Sequence, residues 1–224
     1  MKIKKLIAAA LALSIQISTC SPGVVFAKTA EDAQWAAAYL ETVRALNQED
    51  KKRKSQDQPE FMPFQPYTYS LIYFDGDKIP ELVAGLDGYW VSMYTYDPDE
   101  GNVYTVMDQW GYGAMGNAGY EYLPKKNCLR NYNSDFAGAV MRTYYGKMKN
   151  HEIVCRRELT QMFYKDKNKN HMPDEDEYTD QPVYYCGSKK ISKKQFLSYL
   201  KKGKFQDIKG NMTYEQISKK LRNR

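Results

Sequence analysis

Hydrophobic and polar side chains alternate most regularly at residues 67–74, and this stretch organises the prediction for the rest of the chain. Tyr67, Tyr69 and Leu71 fall on one side of the alternation, and Ile72 and Phe74 fall on the other. A period of two with aromatic and β-branched residues is typical of a strand. A short acidic loop and a second apolar run, residues 82–84, follow. The pattern therefore predicts a strand, an acidic loop and a second strand.

The flanking segments follow other periods. Residues 29–46 carry apolar side chains at helical spacing, and residues 192–202 and 213–221 each begin with a capping box. Short strand-like runs separated by brief turns lie between them, and such short connections favour antiparallel pairing. The sequence thus predicts an α+β fold with an antiparallel β-meander of about seven to nine strands, an N-terminal helix and two C-terminal helices. We expect one sheet, covered on one face, with the 67–85 unit at its centre. The remaining strands are predicted at residues 89–96, 103–107, 120–123, 128–132, 140–148 and 152–164.

Residues 1–27 have the pattern of a signal peptide, with a basic front, an apolar middle and a small-residue cleavage site ending at Ala27. We expect the exported form to begin at Lys28, which the mass of the secreted protein would check. The alternative is a lipoprotein acylated at Cys20. Residues 28–224 are then one α+β domain, in which 47–66 form a surface linker and 166–180 an acidic loop. The expected location is secreted or at the cell surface.

Removing residues 1–27 lowers the formal charge from +6 to +3, which argues against a nucleic-acid binder. The apolar run of the leader is too short to cross a bilayer comfortably, so no transmembrane span is expected after cleavage. Three cysteines remain, Cys128, Cys155 and Cys186. Export permits disulfides, but an odd number leaves at least one thiol free. The pairing stays open at this point.

Residues 71–83 read LIYFDGDKIPELV and resemble a motif, LIDxDGDGxPELxx, of uncharacterised secreted and lipoprotein families of Gram-positive anaerobes. The resemblance implies calcium ligands at Asp75, Asp77 and Glu81. Tyr73 stands where the motif has its first aspartate, and Lys78 stands where it has a glycine. Calcium prefers several anionic oxygens, so both departures weaken the implied site. The resemblance brings no known activity.

A second acidic segment has the spacing of a calcium loop. Oxygen side chains fall at positions one, three, five, nine and twelve, and a backbone carbonyl falls at position seven. The strands predicted on either side indicate a hairpin tip rather than a helix–loop–helix unit. Calcium is the only cofactor that the sequence indicates. The ligand set in order is Asp166, Asn168, Asn170, Met172, Asp174 and Glu177.

Residues 110–119 read WGYGAMGNAG and contain a GxGxxG pattern. A dinucleotide site would need a helix to begin within it, whereas the segment leads into another strand, so that interpretation is rejected. The aromatic residues around the glycines, Trp110, Tyr112 and Tyr120, instead predict the rim of a ligand-binding face.

The sequence contains few candidate catalytic residues. His151 and Cys155 would lie about 13 Å apart on one strand, too far for a nucleophile and its base. The leading hypothesis is an exported, non-catalytic binding or surface-associated protein, stabilised by calcium. Cell-wall polymer, peptide and carbohydrate remain open as partners. The alternatives are a secreted hydrolase with a carboxylate pair, which needs a cleft with facing carboxylates, and a secreted enzyme inhibitor, which needs a protruding hairpin or glycine loop.

Overall fold

The computed structural model describes residues 28–56, 64–114, 116–170 and 172–224, with side chains from Gln34 onward. The predicted signal peptide, its Cys20 alternative and residues 57–63 lie outside this part of the chain. Within it, no helix is long and apolar enough to cross a membrane.

The predicted α+β class is confirmed. Three helices surround antiparallel strands that form two sheets, of four and seven strands, rather than the single sheet of seven to nine strands that the sequence predicts. The helices are α1 (Lys28–Lys54), α2 (Lys193–Tyr199) and α3 (Tyr214–Arg222). The four-stranded sheet contains, in spatial order, β1 (Thr68–Ile72), β2 (Glu81–Leu86), β3 (Trp90–Asp97) and β4 (Asn102–Gly111). The remaining strands are β5 (Asn117–Leu123), β6 (Cys128–Asp135), β7 (Val140–Lys149), β8 (Glu152–Tyr164), β9 (Tyr178–Cys186), β10 (Lys189–Ile191) and β11 (Gln206–Asp207), and they form the seven-stranded sheet in the order β10-β9-β8-β7-β6-β5-β11.

The four-stranded sheet is covered on both faces. On one face, Trp35, Tyr39 and Val43 of α1 pack with Ile217 and Leu221 of α3 against the strands. The other face packs against the seven-stranded sheet. The alternation read from the sequence decides which residue goes where: Tyr67, Tyr69 and Leu71 join the helical side, whereas Ile72 and Phe74 join the inter-sheet side. A further cluster lies under α2, around Phe196 and Leu159.

The meander changes sheets at the glycine loop, residues 111–119, and this explains why two sheets form. A Cβ on Gly113 would lie 2.2 Å from the Gly88 carbonyl oxygen, and one on Gly116 would lie 1.7 Å from the Ser134 carbonyl oxygen. Both glycines also have positive φ. The chain can turn from β4 to β5 so tightly only because these side chains are missing.

A segment near the C-terminus joins the edges of the two sheets, and we call it the strap (residues 206–212). It begins as β11, which pairs with β5, and it ends at Met212, which exchanges backbone hydrogen bonds with Tyr69 at the edge of β1. Between these points the Ser70 hydroxyl donates to the Lys209 carbonyl at 2.8 Å.

Two boundaries and one placement predicted from sequence are wrong. The expected surface linker 47–66 is helical as far as Lys54, and the expected acidic loop 166–180 ends where β9 begins at Tyr178. The 67–85 unit is not wholly central, because β1 is an edge strand of its sheet while β2 is internal. The capping boxes at Ser192 and Thr213 are confirmed.

Truncation of a β2 side chain should therefore cost more than truncation of a β1 side chain. Leu82 is 0% exposed, whereas Leu71 is only half-buried. We expect Leu82→Ala to lower the free energy of unfolding by roughly 2–5 kcal/mol and Leu71→Ala to cost clearly less. Leu197→Ala, at a residue 54% exposed, is the matched control and should be nearly neutral. Urea denaturation measures all three, and equal losses for Leu71 and Leu82 would contradict the placement of β1 at an edge.

Candidate functional sites: an acidic centre and an aromatic cleft

Three carboxylates converge in the loop between β1 and β2. Ligand oxygens of Asp75, Asp77 and Glu81 all lie within 4.8 Å of one another, and we call this group the acidic centre. Oxygens bound to one calcium ion can be at most about 5 Å apart, twice the usual Ca–O distance of 2.3–2.6 Å. The spacing fits one ion.

Local backbone geometry sets this arrangement. The Asp77 N–H donates to Asp75 Oδ1 at 3.0 Å, and the Ile79 N–H donates to Asp77 Oδ1 at 2.8 Å. Such side-chain-to-backbone bonds turn the chain back on itself. Glu81 then enters the sheet as the first residue of β2, directly opposite Ile72.

The Glu81 carboxylate lies in an unfavourable environment. Its side chain is 1% exposed, and its Oε2 accepts a hydrogen bond from the Phe74 N–H at 2.8 Å. Its Oε1 is buried and has no hydrogen-bond partner. A buried polar atom without a partner is costly, and a buried charge without one is more so.

The pKa values of the acidic centre also show that burying these carboxylates in their charged form is unfavourable. Burial raises the pKa of Glu81 to about 8, the Phe74 hydrogen bond opposes this, and the charges of Asp75 and Asp77 add to it. Partial burial and the Asp75 carboxylate raise the pKa of Asp77 to about 6. A divalent cation would remove the mutual repulsion and give the free Glu81 oxygen a partner, so these residues fit calcium.

The two departures from the motif do not block the centre. Lys78 is exposed, so its side chain extends toward solvent. Tyr73 is 39% exposed, and the Lys125 ammonium lies over its ring, 5.2 Å from the centroid. The position of the missing first aspartate is thus occupied by a surface aromatic residue.

The loop at residues 166–177 brings together several of its predicted ligands. Asp174 Oδ2 accepts hydrogen bonds from the Asn168 and Asn170 side-chain amides at 2.5 and 3.2 Å. The Glu177 carboxylate accepts from the Lys167 N–H at 2.6 Å and from the Asp174 N–H at 3.3 Å. In this arrangement the amide nitrogens, not the oxygens, face Asp174. The Asn168, Asn170, Asp174 and Glu177 side chains therefore hydrogen-bond within the loop.

The predicted ligand face at Trp110, Tyr112 and Tyr120 lies between two cavities. Tyr112 and Tyr120 line a cavity of about 300 Å³, which we call the aromatic cleft. Trp110 and Tyr120 line a second, mainly apolar pocket of about 180 Å³ between the sheets. The Trp110 and Tyr120 rings contact each other, with 5.3 Å between their centroids.

The aromatic cleft also contains residues that sequence reasoning missed. They come from the end of β2, from β5, from β6 and from the strap, so no local pattern could have grouped them. The missed residues are Asp87, Glu121, Tyr132, Asp207 and Lys209.

Each carboxylate of the cleft has a partner. Asp87 Oδ1 accepts a hydrogen bond from the Tyr112 hydroxyl at 3.0 Å. Glu121 forms an ion pair with Arg130 at 2.8 Å, and Asp207 forms one with Lys209 at 3.0 Å. Hydrogen bonds and ion pairs within the protein therefore already hold all three carboxylates of the cleft.

The glycine loop and His151 both contact neighbouring segments. Gly113 and Gly116 of the loop lie close to the backbone of Gly88 and Ser134. His151 Nε2 lies 2.9 Å from Asp97 Oδ2, and the His151 ring stacks on Tyr104 with 3.9 Å between centroids. This histidine therefore links the turn at the tip of the β3–β4 hairpin to the turn between β7 and β8.

The three cysteines of the described chain are free thiols. Cys128 and Cys186 belong to the cluster under α2, whereas Cys155 lines the apolar pocket between the sheets. Strands β7 and β8 separate Cys128 from Cys186, which at about 4.8 Å per strand is about 14 Å. A disulfide needs Cα atoms within about 7 Å, so this fold holds Cys128 and Cys186 apart.

No protein-family model matches the chain, and no curated protein matches it. A solved structure of a Xanthomonas type IV secretion system related protein is similar at 16% identity, over 61% of this chain and 64% of that protein, with a TM-score of 0.34. The match thus spans less than two thirds of that protein. A TM-score this low carries no argument about fold or function.

The pKa of Glu81 predicts how stability depends on pH without calcium. The unfolded chain releases this proton near the ordinary value of 4.5, whereas the folded chain keeps it to about pH 8. The folded state therefore binds more protons within this window, so the free energy of unfolding should fall as pH rises through it and level off above. In Glu81→Gln the free energy of unfolding should fall less with rising pH. Glu152→Gln, at an exposed residue, should show the same fall as the wild type. Urea denaturation with a chelator from about pH 5 to about pH 9 measures this, and an identical slope in Glu81→Gln would contradict it.

Proposed function

We propose that this protein is an exported, non-catalytic binding protein that holds a carbohydrate of the cell surface in the aromatic cleft and is stabilised by calcium at the acidic centre. The observation that carries the binding role is the lining of the cleft. Tyr112, Tyr120 and Tyr132 supply aromatic surface, and the carboxylates between them already have partners.

Export is supported by the composition of residues 1–27, with Lys2, Lys4 and Lys5 before an apolar run. A polymer of the cell surface is then a ligand that the mature protein would meet. Aromatic rings pack on the apolar faces of sugar rings, and carboxylates and a lysine hydrogen-bond the hydroxyl groups around them.

A cleft of about 300 Å³ suits a ligand of this kind. That volume lies at the lower end of small-molecule sites and would enclose one or two sugar units of a longer chain. A polar groove of about 600 Å³ lies on the other side of the strap, and Asp207 and Lys209 line both cavities.

Calcium has a structural role in this proposal. Asp75, Asp77 and Glu81 would hold the ion, and the ion would supply positive charge to a centre that is otherwise strained by its own carboxylates. The same loop is hydrogen-bonded to the seven-stranded sheet, because the Lys125 and Asn127 N–H groups donate to the Tyr73 and Phe74 carbonyls at 2.8 and 2.9 Å. Ordering the loop would thus steady the contact between the two sheets.

The calcium proposal predicts a shift in thermal stability. Residues 28–224 in about 5–10 mM calcium should melt at a higher temperature than in chelator, by the equivalent of about 1.4 kcal/mol at ten times the dissociation constant. The shift should grow as pH rises from about 6 to about 8, because calcium displaces the protons held by Asp77 and Glu81. Differential scanning fluorimetry measures both effects.

Two variants separate the acidic centre from the second loop. Glu81→Gln should lose the calcium shift, whereas Asp166→Asn combined with Asp174→Asn should keep it. A wild-type melting temperature that calcium leaves unchanged would contradict the proposal. If only the variant at Asp166 and Asp174 loses the calcium-dependent shift in melting temperature, the calcium site lies in the loop at residues 166–177 instead.

The ligand proposal predicts sedimentation of the mature protein with purified cell walls. Tyr132→Ala should weaken this binding roughly tenfold, since an aromatic contact of about 1–1.5 kcal/mol is lost. The matched control is Tyr178→Ala, which removes a tyrosine 55% exposed on β9, compared with 40% for Tyr132. Unchanged sedimentation of Tyr132→Ala would exclude the cleft as the site. Binding that survives removal of carbohydrate but not of wall peptide would assign the cleft to peptide instead.

A further inference from the structure

We propose that the aromatic cleft selects glycans that carry free amino groups, and that the Lys209 ammonium group occupies the amine position until the ligand displaces it. This inference rests on the proposed function, because it names the ligand class of the same cleft.

The charge of the cleft is opposite to that of the chain. Its lining contains three carboxylates, of Asp87, Glu121 and Asp207, and one cationic group, of Lys209. Residues 28–224, the proposed mature protein, have a formal charge of +3. Arg130 pairs with Glu121 and Lys209 pairs with Asp207, so the excess negative charge of the cleft comes from Asp87, which accepts a hydrogen bond from the neutral Tyr112 hydroxyl. A concave surface with an excess of negative charge attracts a positively charged ligand group and repels an anionic one.

The aromatic residues of the cleft favour the same ligand group. Tyr112, Tyr120 and Tyr132 line the same space as the carboxylates, and the face of a tyrosine ring attracts a cation. Tyr132 already does this within the protein, because the Arg130 guanidinium lies 4.7 Å from its ring centroid. A neutral sugar would use the rings but would gain nothing from the negative charge around them.

Lys209 shows where an ammonium group is held. Its Nζ lies 3.0 Å from Asp207 Oδ2. The hydrogen bond and charge of Asp207 raise the pKa of Lys209, burial opposes this, and the charge of Asp87 adds to the rise. One lysine thus interacts with groups from two walls of the cleft.

The side chain of Lys209 has room to leave. Its backbone is fixed in the strap, where the Ser70 hydroxyl donates to its carbonyl and the adjacent Ile208 N–H donates to the Tyr120 carbonyl. The side chain itself is 54% exposed, and Lys209 also lines the polar groove on the other side of the strap. A ligand amine can therefore take its place beside Asp207 and Asp87 without moving the backbone.

Calorimetry with two soluble oligosaccharides tests the inference. The probes are a tetramer of glucosamine and a tetramer of N-acetylglucosamine, which have the same backbone and differ in the charge of the amino group. We expect the glucosamine tetramer to bind at least tenfold more tightly, and the preference to shrink as salt rises. Asp87→Asn combined with Asp207→Asn should remove the preference.

The Lys209→Met variant tests the displacement. Removing the competing ammonium should raise affinity for the glucosamine tetramer severalfold and leave affinity for the acetylated tetramer nearly unchanged. Lys190→Met, at an exposed lysine of β10, is the control and should change neither. Thermal melts of each variant check that the fold is retained.

The outcomes separate this inference from the proposed function. Equal or tighter binding of the acetylated tetramer overturns the amine preference but leaves carbohydrate binding in place. Tighter binding of a lysine-rich peptide than of the glucosamine tetramer overturns it in favour of a protein ligand. If neither tetramer binds, the inference falls, and cell-wall sedimentation then decides whether the proposed function falls with it. If Lys209→Met binds the glucosamine tetramer with the affinity of the wild type, the proposed displacement of the Lys209 ammonium group is wrong.

Discussion

Burial of β2 on both faces is the constraint on which the rest of the structure depends. Leu82 and Ala84 pack against the helices, while Val83 between them packs against the seven-stranded sheet. A strand buried on both faces is a continuous run of apolar residues, and a layer of structure covers it on each side. The helices α1 and α3 cover one face, and β5 to β8 cover the other. The helices and the second sheet therefore take their positions from β2.

The acidic centre follows directly from that burial. Glu81 is the first residue of β2, so the sheet that hides Leu82 and Val83 also hides its carboxylate. A glutamate at the end of an exposed strand would keep its charge in water. Here one oxygen has a backbone partner and the other has none. The cost of this arrangement is the physical reason to expect a cation, and it ties metal binding to the stability of the core rather than to the surface loop alone.

The cleft depends on two connections rather than on a sheet. The glycine loop lets the chain leave β4 and begin β5 in a second sheet, and the strap returns along the open edges of both sheets. The space left between these connections is lined by aromatic and carboxylate side chains. Because the strap is hydrogen-bonded at both ends, the cleft has a fixed wall at Ile208, while the Lys209 side chain beside it is exposed and ion-paired with Asp207.

The sequence by itself determined the elements whose signals are local. The alternation at 67–74, the helical stripe of Trp35, Tyr39 and Val43 and both C-terminal capping boxes depend on neighbours a few residues away, and the structure agrees with each. The three carboxylates of the acidic centre were also visible, because they lie within seven consecutive residues, 75–81. Only the tertiary structure decided that the strands form two sheets, that β1 is an edge and that Glu81 is buried without a partner for one oxygen. It alone joined Asp87, Tyr132 and Lys209 to the predicted aromatic rim, since these residues are far apart in the chain and meet only where the strap crosses between the sheets.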